Sequence, residues 1–139
     1  MLANMNLDIP KMPPVTSTRT ATFEIVSTKE SRHKTTEEIV REYYEADPIL
    51  ANIASCESNF RQFDKDGDVL KGRVNEKDVG VMQINIKYHL ETSKKLGIDI
   101  YTLEGNLKYG KYLYETQGTS PWNASSLCWI PRSNLAFAR

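Results

Sequence analysis

Apolar and polar positions follow a helical period in four stretches of this chain. Ile39, Val40, Tyr43 and Tyr44 recur at spacings of three and four. Thr35 and Glu38 ahead of them have the spacing of a capping box, so a short helix is predicted from 35 to about 46. Asp47 then precedes Pro48, an N-cap acceptor followed by a residue suited to the first helical position, and a second helix is expected through PILANIASCES. At about 100° per residue, Leu50 and Glu57 fall within roughly 20° of each other, with Ile53 and Ala54 on the same side. Glu57 therefore belongs to an apolar stripe. Asn85 is suited to cap a third helix through Leu96, closed by Gly97, and a fourth is expected from Asn106 to Gln117, ended by Gly118.

The period breaks in three places. From Phe60 to Val79 short apolar and polar pieces are separated by DGD and KGR, which read as tight turns in a small β-hairpin. SPWNASSLCW carries both tryptophans and reads as a short ordered loop or turn of helix. Residues 1–34, with Pro10, Pro13 and Pro14 among many Ser, Thr and charged positions, hold no sustained period and read as a flexible N-terminal tail. The expected organisation is an α+β, mainly α domain over 35–130, its hairpin beside the helix that bears Glu57, followed by a C-terminal tail over 131–139.

Composition narrows the partners. A chain of 139 residues accommodates one domain with a modest core. Lys plus Arg, 18, equals Asp plus Glu, 18, which removes the electrostatic footprint of a duplex-binding protein, and no nucleic acid is expected as a partner. No apolar run approaches the length of a membrane span. The start MLANMNLDIPKMPPV has neither the basic nor the apolar region of a signal peptide. Cys56 and Cys128 lie 72 positions apart, too far for a CxxC redox or zinc motif, and only His33 and His89 are present to complete a metal site. On residues alone the two cysteines are either a disulfide or two buried thiols. DKDGD at 64–68 resembles the start of a calcium loop, but Val69 stands where the sixth-position glycine belongs and Asn75 where the twelfth-position glutamate belongs, so it reads as a turn. Neither metal nor cofactor is expected.

A carboxylate on an apolar helix face is costly to ionise, so Glu57 is expected to hold its proton to higher pH than usual and to suit proton delivery to a leaving oxygen. Ser58 beside it lacks the G-x-S-x-G setting and the partner histidine of a serine nucleophile. ESNF at 57–60 followed by DVGVMQIN at 78–85 resembles the lysozyme superfamily's pairing of an E-S-x-F helix end with a G-x-x-Q-I-N segment. HLETSKKLGI and NLKYGKYLY downstream resemble the helical continuation of bacterial lytic transglycosylase domains. CES at 56–58 and the W-x-x-x-x-x-C of 122–128 are similar to resuscitation-promoting factors. The resemblance covers about residues 47–129.

That resemblance implies a lysozyme-like fold and cleavage of peptidoglycan glycan strands at the β-1,4 bond between N-acetylmuramic acid and N-acetylglucosamine, with Glu57 as general acid and base. It implies a Cys56–Cys128 bridge, hence an extracytoplasmic setting, and a monomer is expected. Gln83 and Asn85 would bind the glycan where Gly80 lets it approach, with Ser58, Tyr109 and Trp122 as further substrate contacts, Tyr112 also within reach, and Val81, Met82 and Ile84 in the core. Asn85 also remains a candidate helix cap. Asp78 aligns with the second carboxylate of animal lysozymes, so hydrolysis using both acids is one alternative and a non-catalytic glycan-binding module another, but the resemblance of the downstream helices to bacterial domains favours a lytic transglycosylase in which Glu57 alone forms a 1,6-anhydro product. The A-Y-N-x-G segment of many transglycosylases is absent, and PWNASSLCW stands in its place.

Overall fold

The computed structural model describes residues 32–131 together with Pro14. The expected tails therefore lie almost wholly outside the described residues. Within them the chain is mainly helical with one small antiparallel sheet: α1 (Thr36–Tyr43), α2 (Pro48–Ser58), β1 (Asp78–Val79), β2 (Ile84–Asn85), α3 (Ile86–Lys95), α4 (Leu103–Gln117), a 3-10 helix (Ser120–Ser125) and α5 (Ser126–Trp129). The α+β, mainly α expectation agrees with this.

The capping box of α1 forms: the Thr35 hydroxyl accepts the Glu38 N–H, and the Glu38 carboxylate accepts the Thr35 N–H. Arg32 and Lys34, assigned above to the tail, pair with Glu38 and Glu42 on the same helix. Tyr44 follows α1, is buried, and donates from its hydroxyl to the Leu107 carbonyl of α4 at 2.7 Å. Its ring requires Gly110, where a Cβ would come within 2.8 Å of the tyrosine oxygen.

Asp47 departs from the capping role expected of it. It is the N-cap residue of α2, but its side chain accepts no backbone N–H and pairs instead with Lys111 on α4. The Lys111 ammonium supplies a full counter-charge, which binds the carboxylate more strongly than a backbone N–H would. The cap forms where Asn85 begins α3, its side-chain oxygen accepting the Lys87 N–H at 3.0 Å. α4 starts at Leu103, three residues earlier than expected. The Thr102 hydroxyl caps it through the Gly105 N–H, a signal hidden by the glycine in its first turn.

The hairpin also differs from its expected place. Residues 60–77 form no strand and make only single bridges, Phe63 with Val69 and Lys71 with Val79 of β1. At DGD the Asp64 carboxylate accepts the N–H groups of Asp66 and Asp68, which satisfies the turn internally and leaves little ladder to extend. The paired strands come later, β1 against β2, with Asp78 opposite Asn85 and Val79 opposite Ile84.

The loop joining those strands, Gly80–Gln83, is driven into the core, with Val81 and Met82 fully buried. Buried loop backbone must find partners away from water. Gln62 Oε1 accepts the Val81 N–H, and Asn106 Oδ1 accepts the Met82 N–H, each at 2.8 Å. Asn106 Nδ2 donates to the carbonyls of Val79 and Ile100, the Ser58 hydroxyl bonds the Val81 carbonyl, and the Trp122 indole N–H donates to the Met82 carbonyl. Around this plug pack Val40, Leu50, Ile53, Ala54, Ile100, Leu107, Tyr109 and Leu113. Among the described side chains, no buried polar atom lacks a partner.

Gly80 makes the plug possible. It adopts φ +74°, and a Cβ there would lie 2.3 Å from Asn106 Nδ2 and 2.6 Å from Gln62 Oε1. Its close approach is to these two amides of the protein's own core.

Candidate functional site

Glu57 lies in the last turn of α2, where local backbone and long-range packing set its position together. Asn59 and Phe60 directly after the helix both have positive φ, +53° and +59°. Non-glycine residues enter that region at a cost of about 1–2 kcal/mol each. The reversal returns Phe60 to the core, beneath the Arg41 guanidinium at 4.9 Å, and leaves the end of α2 facing β1.

From the other side Cys56 is bridged to Cys128 with a Cα–Cα separation of 6.0 Å, so the expected disulfide is present. The bridge fastens α5 to the end of α2. One turn before Cys128 stands Ser125, whose hydroxyl lies 2.5 Å from Glu57 Oε1. Ser125 Oγ also accepts the Trp129 indole N–H and lies 3.1 Å from the Trp122 carbonyl. A hydroxyl has one proton, so Ser125 donates either to Glu57 or to Trp122. It can thus serve as donor to an ionised Glu57 and as acceptor from a protonated one.

The Glu57 carboxyl holds its proton above the ordinary carboxylate range. Burial is the main cause, the negative charge of Asp78 adds to it, and the Ser125 hydrogen bond acts in opposition. Asp78 Oδ1 accepts from the Asn85 amide at 2.7 Å and from Asn75 at 3.3 Å. Asn85 therefore acts at both ends: its oxygen caps α3 and its nitrogen holds Asp78.

Two cavities meet at these acids. One, of about 480 Å³, is lined by residues that include Arg61, Lys71, Gly72, Arg73 and Ser125. The other, of about 320 Å³, includes Tyr88, His89, Gln117 and Trp122. Glu57, Asp78, Gln83 and Ala124 line both. Together they form a groove with the two carboxyl groups at its middle, of a size suited to a bound small-molecule or oligomeric ligand.

Of the residues singled out from sequence, the fold brings Glu57, Asp78, Gln83 and Asn85 to this groove. Gln83 sits at φ +49° and donates from its amide to the Gly80 carbonyl at 2.9 Å. Trp122 reaches the groove wall but is only 3% exposed, with its indole N–H engaged inside the core, so it offers no open ring face. Ser58 is buried, and its hydroxyl serves Val81 and the Arg61 N–H. Tyr109 is fully buried, its hydroxyl 3.2 Å from His89 Nδ1, and lines neither cavity. Tyr112 packs at a tilt against Tyr109 and does not line the groove either. Ser58, Tyr109 and Tyr112 thus make contacts within the protein and line neither cavity.

Several groove residues escaped the sequence reading. Tyr88, 69% exposed on α3, presents the open aromatic surface that Trp122 lacks. His89 stands beside it, and burial lowers its pKa, favouring the neutral ring. Arg61, Lys71 and Arg73 line the larger cavity and form no ion pair among the described residues. Ser125 was legible in principle: a bridge between Cys56 and Cys128 brings the residue one helical turn before Cys128 next to Glu57.

Among the described residues no group of three or more His, Cys, Asp or Glu side chains is arranged to hold a metal ion, and no helix is long and apolar enough to cross a membrane. Comparison with protein-family models, with curated proteins and with solved structures yields no match.

Proposed function

We propose that this chain is a lysozyme-like enzyme that cleaves peptidoglycan glycan strands, with Glu57 as general acid and then general base. One observation carries the reading: a half-buried carboxyl, its pKa raised by burial, stands where two cavities join, with a second carboxylate nearby and a hydroxyl able to partner either protonation state. The ordered motifs ESNF and DVGVMQIN supply the substrate class.

In the proposed reaction, protonated Glu57 gives its proton to the oxygen bridging N-acetylmuramic acid and N-acetylglucosamine. The bond from C1 of the muramic sugar to that oxygen breaks, and positive charge develops over C1 and the ring oxygen. The Glu57 carboxylate, now hydrogen-bonded by Ser125, takes the proton of the muramic C6 hydroxyl. O6 closes on C1 to give a 1,6-anhydro end, and Glu57 regains its proton. Asp78, held by Asn85, contributes negative charge near the developing cation.

A second reading, hydrolysis, is favoured by the place of Asp78 on both cavities. Water would then supply the oxygen that reaches C1, leaving a reducing end. The Cys56–Cys128 bridge supports an extracytoplasmic setting for either reaction.

The experiment is release of soluble muropeptides from purified cell walls by the native protein and by Glu57→Gln. Loss of release in the variant supports catalysis. A native protein that binds walls without releasing fragments would make it a glycan-binding module.

A further inference from the structure

The two arms of the groove differ in charge. In the smaller cavity no Lys or Arg is among the lining residues, and its surface is aromatic and amide: Tyr88, His89, Asn85, Gln117. The larger carries Arg61, Lys71 and Arg73 against Glu57 and Asp78. Three cations against two acids leave a net positive arm, more so when Glu57 holds its proton.

The backbone that carries two of the cations is held in place. Lys71, at a single β-bridge, and Arg73, at the bend that follows Gly72, both line the larger cavity. That segment is pinned to β1 by the Lys71–Val79 bridge and by the Gly72 N–H, which donates to the Asp78 carbonyl at 2.7 Å. Arg61 is anchored through Nε to the Ser58 carbonyl at 3.0 Å, which leaves its terminal guanidinium nitrogens without a hydrogen-bond partner among the described residues. A neutral glycan alone has no use for three such groups. A guanidinium fork flanked by further cations suits a carboxylate.

Resting on the glycan-strand reading above, we infer that the arm formed by Arg61, Lys71 and Arg73 receives the carboxylates of the peptide stem borne by muramic acid, while the Tyr88 arm receives bare sugar. The enzyme would then favour strands that still carry peptides over strands stripped of them. The shared chemistry is an anion, and phosphate-bearing wall polymers are its other source, so the probes are freed of phosphate.

Affinity is measured by calorimetry on Glu57→Gln, which suspends turnover, with three tetrasaccharide probes: one bearing peptide stems, one with stems removed and the lactyl carboxylates so freed capped as neutral amides, and one whose stem carboxylates are converted to neutral amides. The stem-bearing probe is expected to bind about five- to tenfold tighter than the other two at low salt, with the difference shrinking as salt is raised. Adding Arg61→Gln, Lys71→Gln and Arg73→Gln is expected to bring all three probes to one affinity. Equal binding of the three probes by Glu57→Gln, or a stem preference that survives when all three cations are replaced, would overturn the inference. If the native protein cleaves no strand while the stem preference persists, the proposed reaction falls and the cationic arm stands.

Discussion

The Ser125 hydroxyl meets the Glu57 carboxylate at 2.5 Å, joining residues 68 positions apart in the chain. Ser125 ends the 3-10 helix directly before α5, and the bridge from Cys128 to Cys56 holds that part of the chain against the half-buried Glu57. A single hydroxyl with an indole N–H behind it and a carbonyl beside it gives Glu57 a partner whether the acid is protonated or ionised.

Removing that hydroxyl separates positioning from packing. Ser125→Ala takes away the hydrogen bond that lowers the Glu57 pKa, while burial and Asp78, which raise it, remain. The basic limb of the pH–rate profile is therefore expected to move to higher pH, and the rate at its optimum to fall by about three- to tenfold. Ser125→Thr should restore the limb. An unmoved limb in Ser125→Ala would mean that the contact has no influence on proton transfer.

Burial of Glu57 also has a sign for stability. In the folded chain its pKa is raised above the ordinary 4.5, so the folded state binds the proton more tightly than the unfolded one. The stabilising contribution is complete below about pH 4 and is lost as pH rises through the folded-state value. Glu57→Gln, which mimics the protonated acid, is expected to match the native protein in urea at pH 3 and to exceed it at pH 7. A difference that is the same at both pH values would contradict the burial account.

The disulfide closes a long loop. Cys56→Ser with Cys128→Ser is expected to lower stability by about 4 kcal/mol by the chain-entropy estimate. It should also slow the proposed reaction, because α5 would no longer be tied to α2. Denaturant midpoints and rates measured on one preparation, with and without reductant, check both. Unchanged activity in fully reduced, folded protein would show that packing alone holds Ser125 in place.

The buried loop Gly80–Gln83 depends on two side-chain amides. Asn106 serves the Met82 N–H and the carbonyls of Val79 and Ile100, so Asn106→Leu removes a side-chain partner from three buried backbone groups. A loss of at least about 3 kcal/mol is expected in urea, a large part of the stability of a small domain. A loss under about 1 kcal/mol would mean that water replaces the amide readily.

Local signals in the sequence carried well where a single residue decides the outcome: Thr35 with Glu38 for α1, Asn85 for α3, and the apolar stripe that marks Glu57. Asp47 misled because its counter-charge, Lys111, lies 64 positions away. The sheet was expected a few residues early because DGD satisfies its own backbone through Asp64, while the true pairing flanks a loop apolar enough to be buried. Trp122, Tyr109 and Ser58 looked available to a ligand because residue type alone does not tell an indole on a surface from one whose N–H feeds a core carbonyl. Lys71 and Arg73 gave no periodic signal at all. Their meeting with Arg61 comes from the bridge between Lys71 and Val79, a contact that only the folded chain makes.

The central claim is that Glu57 cleaves the glycan by passing one proton out and taking one back. Its most direct test is mass analysis of the fragments released from purified peptidoglycan by the native protein and by Glu57→Gln. The account predicts fragments ending in 1,6-anhydromuramic acid and a loss of at least about 100-fold in the variant. Reducing ends would transfer the second step to water and Asp78, and equal release by the variant, or none by the native protein, would contradict the claim itself.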